Sequence, residues 1–151
     1  MSELSRAAAR VQSALETAGI EARVVELPQS TRTAVEAAQA CGCDVAQIVK
    51  SLVFVDAGGD AVLVLASGTN RVDEKRLGLR RASAEVVREK TGYAIGGVPP
   101  VGLATPLRTL IDEDLLRFER IWAAAGTPNA VFEMAAADLP RMTGGTVTRV
   151  S

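Results

Sequence analysis

Apolar residues recur at helical spacing from Leu4 to Ala18, and the pattern stops at Gly19, a residue suited to ending a helix. Ala22 to Leu27 then reads as a strand. Thr33 is placed to cap a second helix running through Ala40, with Glu36 completing a capping box and Gly42 closing the element. Asp44 caps one more short turn leading to Lys50. Beyond it the period changes. Ser51 to Val55 and Ala61 to Ala66 are β-rich runs separated by Asp56-Ala57-Gly58-Gly59-Asp60, a hairpin signal, and are expected to be adjacent antiparallel core strands.

Downstream, Val72 to Leu77 and Ser83 to Lys90 predict short helices, the second capped by Ser83 and stopped at Gly92. After a glycine- and proline-containing loop from Gly92 to Gly102, strands are expected at Arg108 to Ile111, Ile121 to Ala124 and Ala130 to Glu133. A short helix at Ala136 to Met142 and a last strand at Thr146 to Val150 follow. Strands outnumber long helices, and hairpin-length links join many of them. This predicts a single α+β domain over residues 1–151, built on a mixed, largely antiparallel sheet curled toward a barrel, in preference to a doubly wound parallel sheet.

Lys50 interrupts the apolar run from Val45 to Val55. Desolvating an ammonium is costly unless the charge is paired, so a lysine there needs a reason. One reading is a lysine at a strand entrance, its stem on apolar surface and its amine in water. The other is a cation aimed into a pocket, where it binds an anion or polarises a substrate.

Composition narrows the chemistry. The 151 residues are 48% hydrophobic and 23% charged, as in an ordinary soluble domain, while aromatics at 3% leave packing to Ala, Val, Leu and Ile. No apolar stretch approaches the roughly 20 residues of a membrane span, and the N-terminus alternates charge with alanine, so the expected compartment is the cytoplasm. Histidine is absent, which excludes Ser-His-Asp and Cys-His machinery, His-ligated zinc and an imidazole proton shuttle. Cys41 and Cys43 flank Gly42 and cannot complete a tetrahedral zinc site alone; they read as helix-end residues, and neither a metal nor a cofactor is expected.

Net charge is −1, yet its distribution is uneven: the Arg71 to Lys90 segment is +3 and the remainder −4. Such a patch can meet a few phosphates, or it is a solvated helix pair. The loop holding Gly96-Gly97 and Pro99-Pro100 is the second chemical candidate. Glycine permits positive φ and close ligand approach, and proline stiffens the exit. The loop lacks the Walker ending and the dinucleotide GxGxxG fingerprint, and a rigid surface turn is its plainer reading.

The succession of STRTAVEAAQACGCDVAQIVKSLVF (Ser30 to Phe54), VLVLASGTNRVDEKRL (Val62 to Leu77), TGYAIGGVPPVG (Thr91 to Gly102) and NAVFEMAAADLPRMTGG (Asn129 to Gly145) resembles the YbaK/prolyl-tRNA synthetase-associated editing-domain family. The resemblance implies a compact domain with a mixed, barrel-like sheet and the activity of a free-standing aminoacyl-tRNA deacylase. Lys50 matches the characteristic lysine of that family. Gly96 to Pro100 fits its GxxxP loop, with Gly97, Val98 and Pro99 inside it, and the AxDL segment containing Asp138 resembles a C-terminal stretch near the pocket in relatives.

An aminoacyl ester is already activated, so a site can hydrolyse it by positioning it and stabilising the oxyanion, without a histidine base. On that reading the amides of Gly96, Gly97 and Val98 face the oxyanion, and Lys50 anchors the terminal phosphate or ribose. The nucleophile is water, oriented by backbone groups or the ribose hydroxyl, or the substrate's own thiol for a cysteinyl ester. Thr31 and Arg32 border the amino-acid pocket together with Pro99 and Pro100. Ser67 and Asn70 line its mouth or form an ordinary turn, Asp138 binds substrate or caps the final helix, and Arg71 and Lys75 meet tRNA phosphates. A small amino acid (Ala, Cys or Ser) on tRNA(Pro) is the leading substrate, and a synthetase is a further possible partner. The competing reading is a non-catalytic module that recognises aminoacyl-adenosine-like ligands or a synthetase.

Overall fold

A computed structural model of the chain describes residues 4–151. Helix α1 (Arg6–Thr17) starts where the Ser5 hydroxyl accepts the Ala8 N–H at 3.2 Å, and it buries Ala8, Val11 and Leu15 on one face. The predicted strand from Ala22 to Leu27 contracts to β1 (Val25–Glu26). Its cause is visible in Gln12 of α1, whose side chain takes the Ala22 carbonyl at 3.1 Å and the Val24 N–H at 2.7 Å. Those are groups a longer strand would have used.

Helix α2 (Ala34–Cys41) carries the expected capping box: the Thr33 hydroxyl accepts the Glu36 N–H at 3.1 Å, and the Glu36 carboxylate accepts the Thr33 N–H at 3.2 Å. A 3-10 turn at Val45–Gln47 leads into β2 (Ile48–Asp56), which the hairpin joins to β3 (Ala61–Ser67). Lys50 is therefore inside β2, paired with Ala66, where the sequence places it at the strand entrance, just before Ser51.

The later elements are α3 (Glu74–Leu77), β4 (Leu79–Arg81), α4 (Ala84–Thr91), β5 (Arg108–Asp112), β6 (Arg120–Ala124), β7 (Ala130–Ala135), α5 (Leu139–Thr143) and β8 (Thr146–Thr148). A 3-10 stretch at Glu113–Arg117 precedes β6. Helix α3 begins two residues later than predicted because the Asp73 carboxylate accepts the Arg76 N–H and acts as the cap. The helix expected from Ala136 splits into a 3-10 turn (Ala136–Asp138) and α5, whose first turn holds Pro140. Strand β8 ends at Thr148; beyond it the Val150 carbonyl leaves the ladder to accept the Asp73 N–H at 2.8 Å.

The eight strands form one mixed sheet in the order β1-β7-β6-β2-β3-β5-β8, with β4 on β2. The pairings β1–β7, β6–β7, β2–β3 and β2–β4 are antiparallel, and β2–β6, β3–β5 and β5–β8 are parallel. Among the described residues the path runs from β1 to β8, the mixed sheet that the sequence predicts. Strand β3 is buried on both faces, which explains its continuous apolar run. Leu63 and Leu65 join α1, Val49 and Phe132 in the larger core; Val62, Val64 and Ala66 join Phe54, Leu79 and Leu110 in the smaller one.

Strand β2 pairs with β3 from Val49 to Val55 along one side. Its other side is divided between two neighbours. Strand β6 covers only Ile48 and Val49, and β4 covers only Phe54 to Asp56. The sheet is split between them, and the edge of β2 from Lys50 to Leu52 has no strand neighbour there.

Candidate functional site

The split opens into a cleft of about 310 Å³. Its floor is β2 from Ile48 to Leu52, and its walls are Thr31–Thr33, Ala34 and Ala37 of α2, Trp122–Ala124 of β6, and Ile95, Gly96 and Val98 of the loop. A smaller chamber of about 70 Å³ adjoins it, sharing Ser51, Leu52, Ile95 and Val98 and bounded further by Phe54, Arg81, Ala82 and Val87. Apolar walls with a few polar groups suit the recognition of a small molecule.

Lys50 supplies the cleft's half-buried cation, and the cation is held. Its ammonium donates to the main-chain carbonyl of Asn70. The Asn70 amide in turn donates to Asp112 at 2.8 Å and to Asp114 at 2.7 Å. Asp112, only 1% exposed, also accepts the Ser67 N–H at 2.9 Å. Burial pushes the Lys50 pKa below the ordinary lysine value; the Asp112 charge opposes that shift, and Arg71 and Arg81 add to it. The turn carrying Asn70 lies against the 3-10 turn so closely that a β-carbon on Gly68 would stand 2.2 Å from the Val45 carbonyl oxygen.

The loop wall depends on two glycines in different ways. Gly96 has φ +93°, a conformation side chains disfavour, and a β-carbon there would meet Arg32 Cγ at 2.9 Å. Gly97 packs on the Gly126 backbone, 3.0 Å from where its β-carbon would be, and its carbonyl accepts the Gly126 N–H at 2.8 Å. The Gly97 N–H is taken up by the Ala94 carbonyl at 3.0 Å, so that amide serves the turn and is unavailable to an oxyanion. Pro99 and Pro100 are buried behind the cleft and stiffen the loop without lining it.

Of the residues singled out in the sequence, Thr31, Arg32, Lys50, Gly96 and Val98 come together at the cleft. Thr31 is there as an anchor, its N–H and hydroxyl both donating to the Pro128 carbonyl. Ser67 and Asn70 are supports: the Ser67 hydroxyl donates to the Ala46 carbonyl at 2.7 Å, and Asn70 holds Lys50. Arg71 is exposed beside Lys50, close enough to act on its charge, whereas Lys75 is exposed on α3. Asp138 faces Arg141 at 3.4 Å; it neither lines the cleft nor caps α5 through its side chain.

Several cleft residues escaped the sequence reading: Ser51, Ile95, Trp122 and, behind Lys50, Asp112. Ile95 had a signal as a large apolar residue beside Gly96-Gly97 in a loop, and the structure leaves it 59% exposed at the cleft. Trp122 is the chain's one tryptophan. Cys41 ends α2, where burial, then Cys43 and Glu133, push its thiol up to about 11, the state of an unreactive thiol.

Residues 28–142 match the family model of the aminoacyl-tRNA editing domain. The chain is 34% identical over 122 residues to the uncharacterised protein YwhH of Bacillus subtilis, covering 77% of this chain and 78% of that one. It is 24% identical over 121 residues to EbsC of Enterococcus faecalis, a candidate Cys-tRNA(Pro)/Cys-tRNA(Cys) deacylase, covering 76% and 74%. Among solved structures, one described as a candidate trans-editing enzyme for prolyl tRNA synthetase superposes with a TM-score of 0.91 at 54% identity over 99% of each chain. Among the described residues no helix is long and apolar enough to cross a membrane.

Proposed function

Because the chain belongs to the aminoacyl-tRNA editing domain family, we propose that it acts in trans as a deacylase, hydrolysing the ester between a wrong amino acid and the terminal adenosine of a tRNA. The observation that carries this reading is the cation of Lys50, set by Asn70 at a cleft whose opposite wall is the Gly96 to Val98 loop. Water attacks the ester carbonyl carbon, the carbonyl electrons move onto oxygen, and collapse of the tetrahedral species expels the ribose oxygen, which leaves protonated. The amides of Gly96 and Val98 are the donors for the oxyanion, as Gly97 is engaged within its turn. Lys50 anchors the phosphate or ribose, and holding the ester in place is the main source of rate.

The reaction needs no metal or cofactor, because the ester is an activated acyl group and no step calls for a histidine base. The substrate is a small amino acid, Ala, Cys or Ser, and tRNA(Pro) is the leading carrier; in support, the name of EbsC gives cysteine on tRNA(Pro) or tRNA(Cys), and the description of the solved structure gives prolyl tRNA synthetase. Arg71, exposed beside Lys50, and Lys75 on α3 meet phosphates of the acceptor end, and residues 1–151 work as one unit, alone or with a synthetase. The test is incubation of the purified protein with Ala-, Cys- and Ser-tRNA(Pro) and with correctly charged Pro-tRNA(Pro). Ester loss above buffer on a mischarged member, with the correct one spared, is the expected result. No loss on any member defeats the enzymatic reading, and binding without hydrolysis identifies a recognition module.

A further inference from the structure

Successive residues of a strand turn their main-chain N–H and C=O to opposite sides. In β2 the Asp56 N–H donates to Asp60 on the β3 side, while the Val53 carbonyl accepts the Ala82 N–H at 3.2 Å on the β4 side. Odd-numbered positions therefore address the side shared by β6 and β4. Ser51 is the odd position in the split, where neither strand reaches. Its N–H and C=O face the cleft without a strand partner.

The side chain is in the same condition. Among the described residues, Ser51 Oγ is the buried side-chain polar atom that lacks a hydrogen-bond partner. An unmatched buried hydroxyl destabilises the free protein, and its persistence at a cavity wall points to a partner that arrives with the ligand. By alternation the side chain shares the face of Val49 and Val53, in the larger core, opposite the face of Lys50. Ser51 also lines both the cleft and the small chamber, so it stands at their junction.

We propose that Ser51 binds the α-ammonium of the aminoacyl group through its main-chain carbonyl and its hydroxyl. This assignment rests on the deacylase reading. The two oxygens are acceptors for an N–H donor, and a bond to a cationic donor is stronger than one to a neutral donor. Lys50 projects from the opposite face of the strand, so the ammonium is accepted at Ser51, whose carbonyl at the split edge and whose hydroxyl are both neutral, and the adjoining chamber receives the small side chain.

The test uses the full chain and two adenosine probes, 3′-deoxy-3′-(L-alanylamino)adenosine and its 3′-propionylamino counterpart, which lacks the ammonium. Titration calorimetry of the wild type is expected to show preference for the alanyl compound. Ser51→Ala is expected to lose about tenfold in affinity for it, in keeping with one hydrogen bond to a charged group, while the propionyl compound binds as before. The thermal midpoint of the free variant stays level or rises, because an unmatched hydroxyl has been removed. Equal loss on both probes, no loss on either, or a lowered midpoint overturns the assignment to Ser51 alone. A wild type that binds neither probe and clears no ester from the tRNA panel overturns the deacylase reading and the assignment together.

Discussion

The ammonium of Lys50 donates to the main-chain carbonyl of Asn70, 20 residues along the chain, and the side chain of the same Asn70 is clamped between Asp112 and Asp114. The position of the cation is thus set by main chain, and the main chain is set by a buried acid that makes no direct ion pair with the lysine. A carbonyl partner leaves the ammonium its net charge and two further hydrogens for a substrate.

Lys50→Ala is expected to lower kcat/KM for deacylation about 100-fold, the scale of one hydrogen bond between charged groups, with a thermal midpoint near that of the wild type. Lys50→Arg keeps the charge but cannot reproduce a compact ammonium on the Asn70 carbonyl, and it should recover only part of the loss. Steady-state kinetics on a mischarged tRNA checks both. Full activity of the alanine variant would remove Lys50 from the site.

Asp112→Asn removes the charge that holds the Lys50 pKa up, so burial acts with less opposition and the lysine should titrate lower still. The sign for stability follows from proton binding. With its folded value below its unfolded one, Lys50 binds fewer protons folded than unfolded in the interval between them, and its contribution to stability improves as pH rises through that interval. NMR titration of lysine labelled at Cε should show the Lys50 midpoint below the ordinary lysine value and further down in the variant. The variant should also lose about 1–3 kcal/mol of stability, because an amide cannot accept every hydrogen bond the carboxylate accepts.

Gly68→Ala puts a methyl 2.2 Å from the Val45 carbonyl oxygen, a contact with main chain that no rotamer relieves. Forcing the two turns apart should cost about 1–3 kcal/mol in chemical denaturation. Deacylation should fall by a larger factor than the stability loss alone explains, since Asn70 moves with the turn. Unchanged kinetics at lowered stability would separate Asn70 from the function of Lys50.

Gly96→Ala and Gly97→Ala should both impair activity, and for different reasons. At Gly96 the barrier is the left-handed backbone, and the nearest obstacle is the flexible Arg32 side chain. At Gly97 the obstacle is the Gly126 backbone, 3.0 Å away. Thermal unfolding should find Gly97→Ala the less stable of the two, while Gly96→Ala, whose amide borders the cleft, should be the more selective loss of kcat.

Local chemistry was legible in the sequence wherever a residue acts on its neighbours. Thr33 and Glu36 announce the start of α2, Gly42 and Gly92 its counterparts at helix ends, and Asp56 to Asp60 the hairpin. Strand β4 was not legible, because Leu79-Arg80-Arg81 is a strand only through its pairing with β2. Lys50 and Gly96 announced themselves as a charge in an apolar run and a paired glycine. Ser51 gave no such signal: a serine in a strand looks ordinary until the two strands beside it stop short. Asp112 lies 42 residues from Asn70, and no spacing rule reaches that far. For Ser67 and Asn70 the sequence offered either the mouth of the pocket or an ordinary turn; both donate to the buried Asp112, a partner that neither reading contained.

The split in the sheet has a consequence for how such a protein varies through descent. The width of the opening is counted in residues of β2, from the last one bound by β6 to the first one bound by β4. Each residue adds roughly 3.3 Å, and each reverses the side to which every later group points. A single insertion or deletion just before Lys50 would exchange the directions of Lys50 and Ser51 and shift the register of the hairpin. Substitutions can retune the walls of the cleft, whereas the length of its floor is a quantity that can only be kept or lost.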